Sequence, residues 1–106
     1  MSKKFHISIS TTDFDASVRD YSARLESVPD VVVPNRYARW RTDLLNFSIS
    51  CKPAQPGGII RHIGFEDSGA HEFIETQDSN GITWEYFSES QQQVEIKKLI
   101  AALKTA

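Results

Sequence analysis

Three side chains in this chain have the types and the settings to hold a metal ion. His6 stands between Phe5 and Ile7, His62 precedes Ile63-Gly64-Phe65, and Glu85 stands between Trp84 and Tyr86. In each stretch the period of two turns the ionisable residue away from its apolar neighbours. One curved sheet can therefore aim all three into a shared hollow. Two neutral imidazoles and a carboxylate suit a borderline divalent ion such as Fe, Mn, Ni or Zn, and they leave coordination positions open for water and substrate. The same donor set serves non-haem Fe(II) oxygenases. A lone strand histidine is more often solvated or packed in a core. Here two of the chain's three histidines share a deduced face. The third, His71, lies in a less regular stretch and reads as surface.

Other residues of interest lie nearby in the pattern. Arg39 and Arg41 share one face of a strand and are candidates to clamp an anionic substrate, although strand arginines are ordinarily solvated. Glu66 is either a base behind His62 or, as strand-end acids usually are, a surface group. Trp84 and Tyr86 read as core. Cys51, the single cysteine, has no CxxC partner and reads as a structural or surface thiol.

These residues need elements to position them. Phe5 to Ile9 alternates as a strand that ends at Thr11-Thr12-Asp13, with Thr12 and Asp15 at capping-box spacing. Phe14, Val18, Tyr21 and Leu25 form one helical stripe, which Pro29 stops. Val31-Val33, Tyr37-Thr42 and Leu45-Cys51 read as strands. Pro53 to Gly58 is a linker. Ile59-Glu66, His71-Gln77 and Ile82-Phe87 read as strands, the last two joined through Asn80-Gly81. A closing helix carries Ile96, Leu99, Ile100 and Leu103, with Ser90 and Gln93 at its start. The expected architecture is α+β: a first module over 1–52, a shortened second module over 59–88 that lacks a helix and one strand, and a C-terminal helix over 90–105.

The 106 residues suffice for one domain. Such a domain buries only about 60–65% of its unfolded surface, so its core is thin. Apolar content of 40% with 25% charged residues reads as globular, and a net charge of −2 without a basic stripe argues against nucleic acid as a partner. No signal peptide and no membrane span are apparent after Met1-Ser2-Lys3-Lys4. With the lone cysteine, this leads us to expect a cytoplasmic protein.

The strings FHISISTTDFDASVRDYSARL, RHIGFE and GITWEYF resemble the vicinal-oxygen-chelate superfamily, which includes glyoxalase I, extradiol dioxygenases and the bleomycin and fosfomycin resistance proteins. The similarity runs to about Ser88. It is nearest in style to the branch with cadmium-induced proteins and organoarsenical C–As lyases. It implies two βαβββ modules wrapping a metal in a cupped mixed sheet. His6 then matches the first-strand ligand, His62 the ligand opening the second module, and Glu85 the last-strand ligand and catalytic carboxylate. His62 and Glu85 are only 23 positions apart, which leaves no room for a full second module. The cysteine pair of the C–As lyases is missing, so thiol capture is not expected. A fourth ligand of some members would fall among Asn46, Ser48 and Ser50.

The resemblance implies a divalent-metal-dependent lyase or dioxygenase acting on a small molecule chelated through adjacent oxygens. A non-catalytic protein of the same fold that sequesters a small molecule is the alternative, and an interaction domain using an open sheet edge is a third. A homodimer is expected, because a thin core and an incomplete cup leave apolar surface to bury.

Overall fold

A computed structural model describes residues 3–52 and 55–105, with side chains to Leu103; Met1, Ser2, Ala106 and the Pro53-Ala54 opening of the expected linker lie outside the described residues. The elements follow the order β1 (Lys3–Ser10), α1 (Phe14–Leu25), β2 (Val31–Val33), β3 (Tyr37–Arg41), β4 (Leu45–Ser50), β5 (Ile60–Asp67), β6 (Ile74–Gln77), β7 (Thr83–Phe87) and α2 (Glu89–Thr105). The fold is α+β, with one seven-stranded mixed sheet in the order β2-β3-β4-β1-β5-β7-β6. At its centre β1 runs antiparallel to β5, and each of these has a parallel outer neighbour, β4 beside β1 and β7 beside β5.

The two faces differ sharply in chemistry. On one, Ile7, Ile9, Ala38, Trp40, Phe47 and Ile49 meet Phe14, Val18, Tyr21 and Leu25 of α1. This is the apolar core that the 3.6- and 2-residue periods anticipate, and each large side chain buried there contributes about 1.5–3 kcal/mol. The other face is polar and yet largely buried: His6, Ser8, Arg39, Asn46, Ser48 and Glu66 all lie under cover. Helix α2 supplies part of that cover through buried Gln92 and Ile96. On the core side of β5 and β7, by contrast, the groove lined by Phe65, Ile74, Trp84 and Tyr86 includes no helical residue.

Helix starts differ locally from expectation. Asp13, not Thr12, caps α1, its Oδ1 accepting from the Ala16 amide at 3.1 Å. For α2 the capping box is Ser88 with Gln91 instead of Ser90 with Gln93. The Ser88 amide donates to Gln91 Oε1 at 2.8 Å, and the Gln91 amide donates back to Ser88 Oγ at 3.3 Å. The repeated Ser-x-x-Gln spacing offers both starts; the earlier one lets the helix begin directly after β7 and sets Gln92 inward. The hairpin expected at Asn80-Gly81 forms, with Gly81 at φ 77° and Asp78 Oδ1 accepting from the Asn80 and Ile82 amides. His71 precedes β6 and is exposed.

Candidate metal centre

Strand register brings the three candidate ligands together. Across the sheet, His6 on β1 pairs with Gly64 on β5, and Gly64 pairs with Glu85 on β7. Cross-strand partners share a face, so His6 and Glu85 point the same way with a glycine between them. No side chain fills that interval. His62, two residues before Gly64, projects beside it. Candidate ligand atoms of His6, His62 and Glu85 all lie within 4.8 Å of one another. Glu85 Oε1 is 3.1 Å from His62 Nε2 and 3.8 Å from His6 Nε2, and the two imidazoles stack at 5.0 Å between centroids.

The orientation of His6 is set from behind. Its Nδ1 faces two oxygens of Asn46, the backbone carbonyl at 3.1 Å and Oδ1 at 3.0 Å. Both accept, so Nδ1 carries the hydrogen and Nε2 presents its lone pair to the cluster. That Nε2 is buried without a hydrogen-bond partner. An orphaned acceptor in a buried site costs about 1–3 kcal/mol, and here it faces another imidazole and a carboxyl. The donor set fits a divalent ion: two unprotonated nitrogens and one oxygen converge where a single bound cation would satisfy all three.

Asn46 itself is fully buried and held in a network. Its Nδ2 donates to Glu66 Oε1 and to Gln92 Oε1, each at 2.8 Å, and its Oδ1 accepts from Gln92 Nε2 at 3.3 Å. We predict that Asn46→Ala weakens metal binding about 10–100-fold, the usual effect of losing a group that orients a ligand, while a metal-titration curve still reaches one equivalent.

Electrostatics match neutral donors. Burial, with His6 and Arg61 nearby, pushes His62 down to about 3, and burial likewise lowers His6. Burial, then Glu75, pushes Glu85 up to about 7. The close His–Glu approaches are therefore contacts of neutral imidazoles with a carboxyl group, not ion pairs. A cavity of about 510 Å³ opens on this cluster, lined also by Ser48, Tyr37, Arg61 and, from α2, by Ile96 and Leu99.

Not every candidate reaches the site. Arg39 and Arg41, expected to clamp substrate, are committed elsewhere on the same face. Arg39 grips Asp30 with two hydrogen bonds, at 3.1 and 2.7 Å, and its Nη1 reaches Glu89 and Gln92 of α2. Arg41 makes a two-pronged contact with Glu66, both arms at 2.9 Å. Neither lines the cavity. Of the two readings of Glu66, the surface acid is overturned: the residue is 5% exposed and faces inward. Burial alone would raise its pKa, but the Arg41 and Asn46 bonds hold it below the ordinary value. Asn46, Ser48 and Ser50, the positions of a fourth ligand, lie on this face, Asn46 holding His6 while the serines line the cavity. Trp84 and Tyr86 are half-buried on the opposite face and anchor to Asp78 and Asp67.

Sequence reasoning did not reach Gln92, Arg61 or the part played by Asn46. Gln92 sits in a Gln-Gln-Gln run where nothing marks one residue from the next. Gly64 carries the one available signal, since a glycine inside a strand often marks a close approach by another backbone.

No protein-family model and no curated protein matches the chain. What fold and site define is an α+β protein whose sheet gathers a buried His6 with half-buried His62 and Glu85 in a group that could hold a metal ion. Among the described residues, no helix is long and apolar enough to cross a membrane.

Proposed function

We propose that this chain is a divalent-metal-dependent enzyme of the glyoxalase or dioxygenase type, a lyase or dioxygenase, acting on a small molecule that offers two adjacent oxygens. The observation that carries the reading is the buried, partnerless His6 Nε2, preset by Asn46 and aimed at His62 and Glu85. The strand order supports the paired-module reading: β1 with β4 and β5 with β7 are matching parallel pairs on either side of the β1/β5 contact. The second set lacks counterparts of α1 and β2.

His6, His62 and Glu85 would hold Fe, Mn, Ni or Zn, and such an ion supplies Lewis acidity toward substrate oxygens. The chain's own contribution is placement and proton control. Asn46 fixes the His6 tautomer, while Ile96 and Leu99 line an apolar wall of the cavity. In the metal-free protein Glu85 has its pKa raised to about 7, and its proton is the one that a bound ion would displace. The alternative is a non-catalytic protein that binds a small molecule. It is favoured by the uncovered groove behind β5 and β7, which leaves the strands bearing two ligands supported on one side.

Elemental analysis after reconstitution with Fe(II), Mn(II), Ni(II) or Zn(II) tests the metal reading, with one equivalent retained through gel filtration expected. Failure to retain any of the four would end it. The pH dependence is distinctive. The metal needs the Glu85 carboxylate, and burial keeps that group protonated below about 7 in the metal-free protein, whereas His62 holds no proton until about 3. Binding should then release one proton below pH 7 and none above, so affinity falls about tenfold per pH unit on the acid side. Calorimetry in buffers of different ionisation enthalpy measures the release, and Glu85→Gln should abolish the slope. A proton release that persists unchanged in Glu85→Gln would contradict this assignment.

A further inference from the structure

The register between β1 and β5 slips at one point: Ser8 pairs with His62, but Ile9 pairs with Ile60. Arg61 is the extra residue of a β-bulge. Strict alternation would turn Arg61 away from His62 and onto the apolar face. The bulge turns it instead toward the polar face, where it lines the cavity and its Nη1 donates to Ser50 Oγ at 3.0 Å. Bulges re-aim side chains in this way beside functional sites.

The setting of Arg61 differs from that of the other two arginines on this face. Arg39 is paired with Asp30 and Glu89, and Arg41 with Glu66. Among the described residues no carboxylate lies within ion-pair distance of Arg61, whose one hydrogen bond uses a single donor of five. A half-buried guanidinium normally finds an acid. Of the acids lining the same cavity, Glu85 belongs to the metal cluster and Glu95 contacts Lys98 of its own helix at 3.7 Å. Glu75 pairs with Glu85 on the outermost strand, across the cluster from β4 and Ser50. Arg61 acts on Glu85 only at longer range, slightly countering the rise of its pKa. The same cavity also carries the hydroxyls of Ser8, Ser48 and Ser50, with the exposed Lys52 in its lining.

We propose that Arg61, turned inward by the bulge, forms with Ser50 and Lys52 an oxyanion subsite, so that the ligand of this cavity carries an anionic oxygen group besides the oxygens it offers the metal. The proposal rests on the metal reading above and narrows its substrate class to small acids. It also replaces Arg39 and Arg41 as the source of the anion contact.

Matched probes test it on the metal-loaded protein: 3,4-dihydroxybenzoate against 3,4-dihydroxybenzamide, and 3,4-dihydroxyphenylacetate against its amide. Each pair shares the adjacent hydroxyls and differs in the anion. Calorimetry should show the acid of at least one pair bound about tenfold tighter by the wild type, the scale of a charge-assisted contact. Arg61→Gln should erase that preference, and Arg61→Lys should keep part of it. Metal content and circular dichroism of the variants, equal to wild type, exclude misfolding. If metal binds but neither acid is preferred, or the preference survives in Arg61→Gln, the subsite is refuted and the metal reading stands. If no metal binds, titration of the metal-free protein with benzoate decides the subsite alone. NMR shifts at Arg61 and Ser50 that vanish in Arg61→Gln support it, and no shifts refute it.

Discussion

His62→Ala should bind no metal at stoichiometric concentration while keeping its fold. His62 contributes one of three converging donors, so its loss should exceed the roughly 10–100-fold cost of removing an orienting group. A ligand at 100 times its Kd stabilises a folded protein by about 2.7 kcal/mol. For a domain of this length that corresponds to about 10–20 °C in Tm. Wild type should show this shift on adding metal, and His62→Ala should show none. The metal-free melting temperatures should stay close, because His62 is neutral and only half-buried in the fold, with no ion pair to lose. Differential scanning calorimetry with and without metal separates the two effects. A variant that still gains its full metal-induced shift would remove His62 from the site.

Gly64→Ala should damage the fold itself. Gly64 has φ +155°, and a β-carbon built there would lie 1.8 Å from the Glu85 carbonyl oxygen and 2.7 Å from its carbonyl carbon. Both are backbone atoms of a strand hydrogen-bonded to β5, so no side chain can swing aside to make room. Relief requires β5 and β7 to part, which breaks the pairing that carries Ile63 to Glu66 against Trp84 to Phe87. We expect a loss of about 4 kcal/mol or more, in the range reserved for backbone strain and severe overpacking. Urea denaturation should show a lowered midpoint or an unfolded chain, and any folded fraction should lack metal affinity. Gly81→Ala is the useful contrast. Its φ of 77° carries conformational strain, but nothing lies within 4 Å of the added carbon, so the cost should stay near 1 kcal/mol.

The arginines show why some site residues escape a linear reading. Arg39 and Arg41 sit in regular alternation, and period two places both on the polar face. Alternation does not say which acids await them, and Asp30 comes from the loop before β2, Glu66 from β5 and Glu89 from α2. Arg61 fails in the opposite sense. Alternation assigns it to the wrong face, because a bulge adds one residue to a strand without a sequence mark. Glu66 and Gln92 are buried by contact with each other's partner, Asn46, and neither position looks different from a surface one until the sheet and α2 meet.

The sequence by itself determined the strands, both helices, the apolar stripe under α1 and the common facing of His6, His62 and Glu85. These follow from local periodicity, which each short stretch of chain carries within itself. Tertiary structure alone decided the register that sets Gly64 between His6 and Glu85, the bulge that turns Arg61 inward, and the helix that covers the polar face. Those depend on pairings between residues up to about half the chain apart, and their energies come from surfaces that exist only once the sheet has closed.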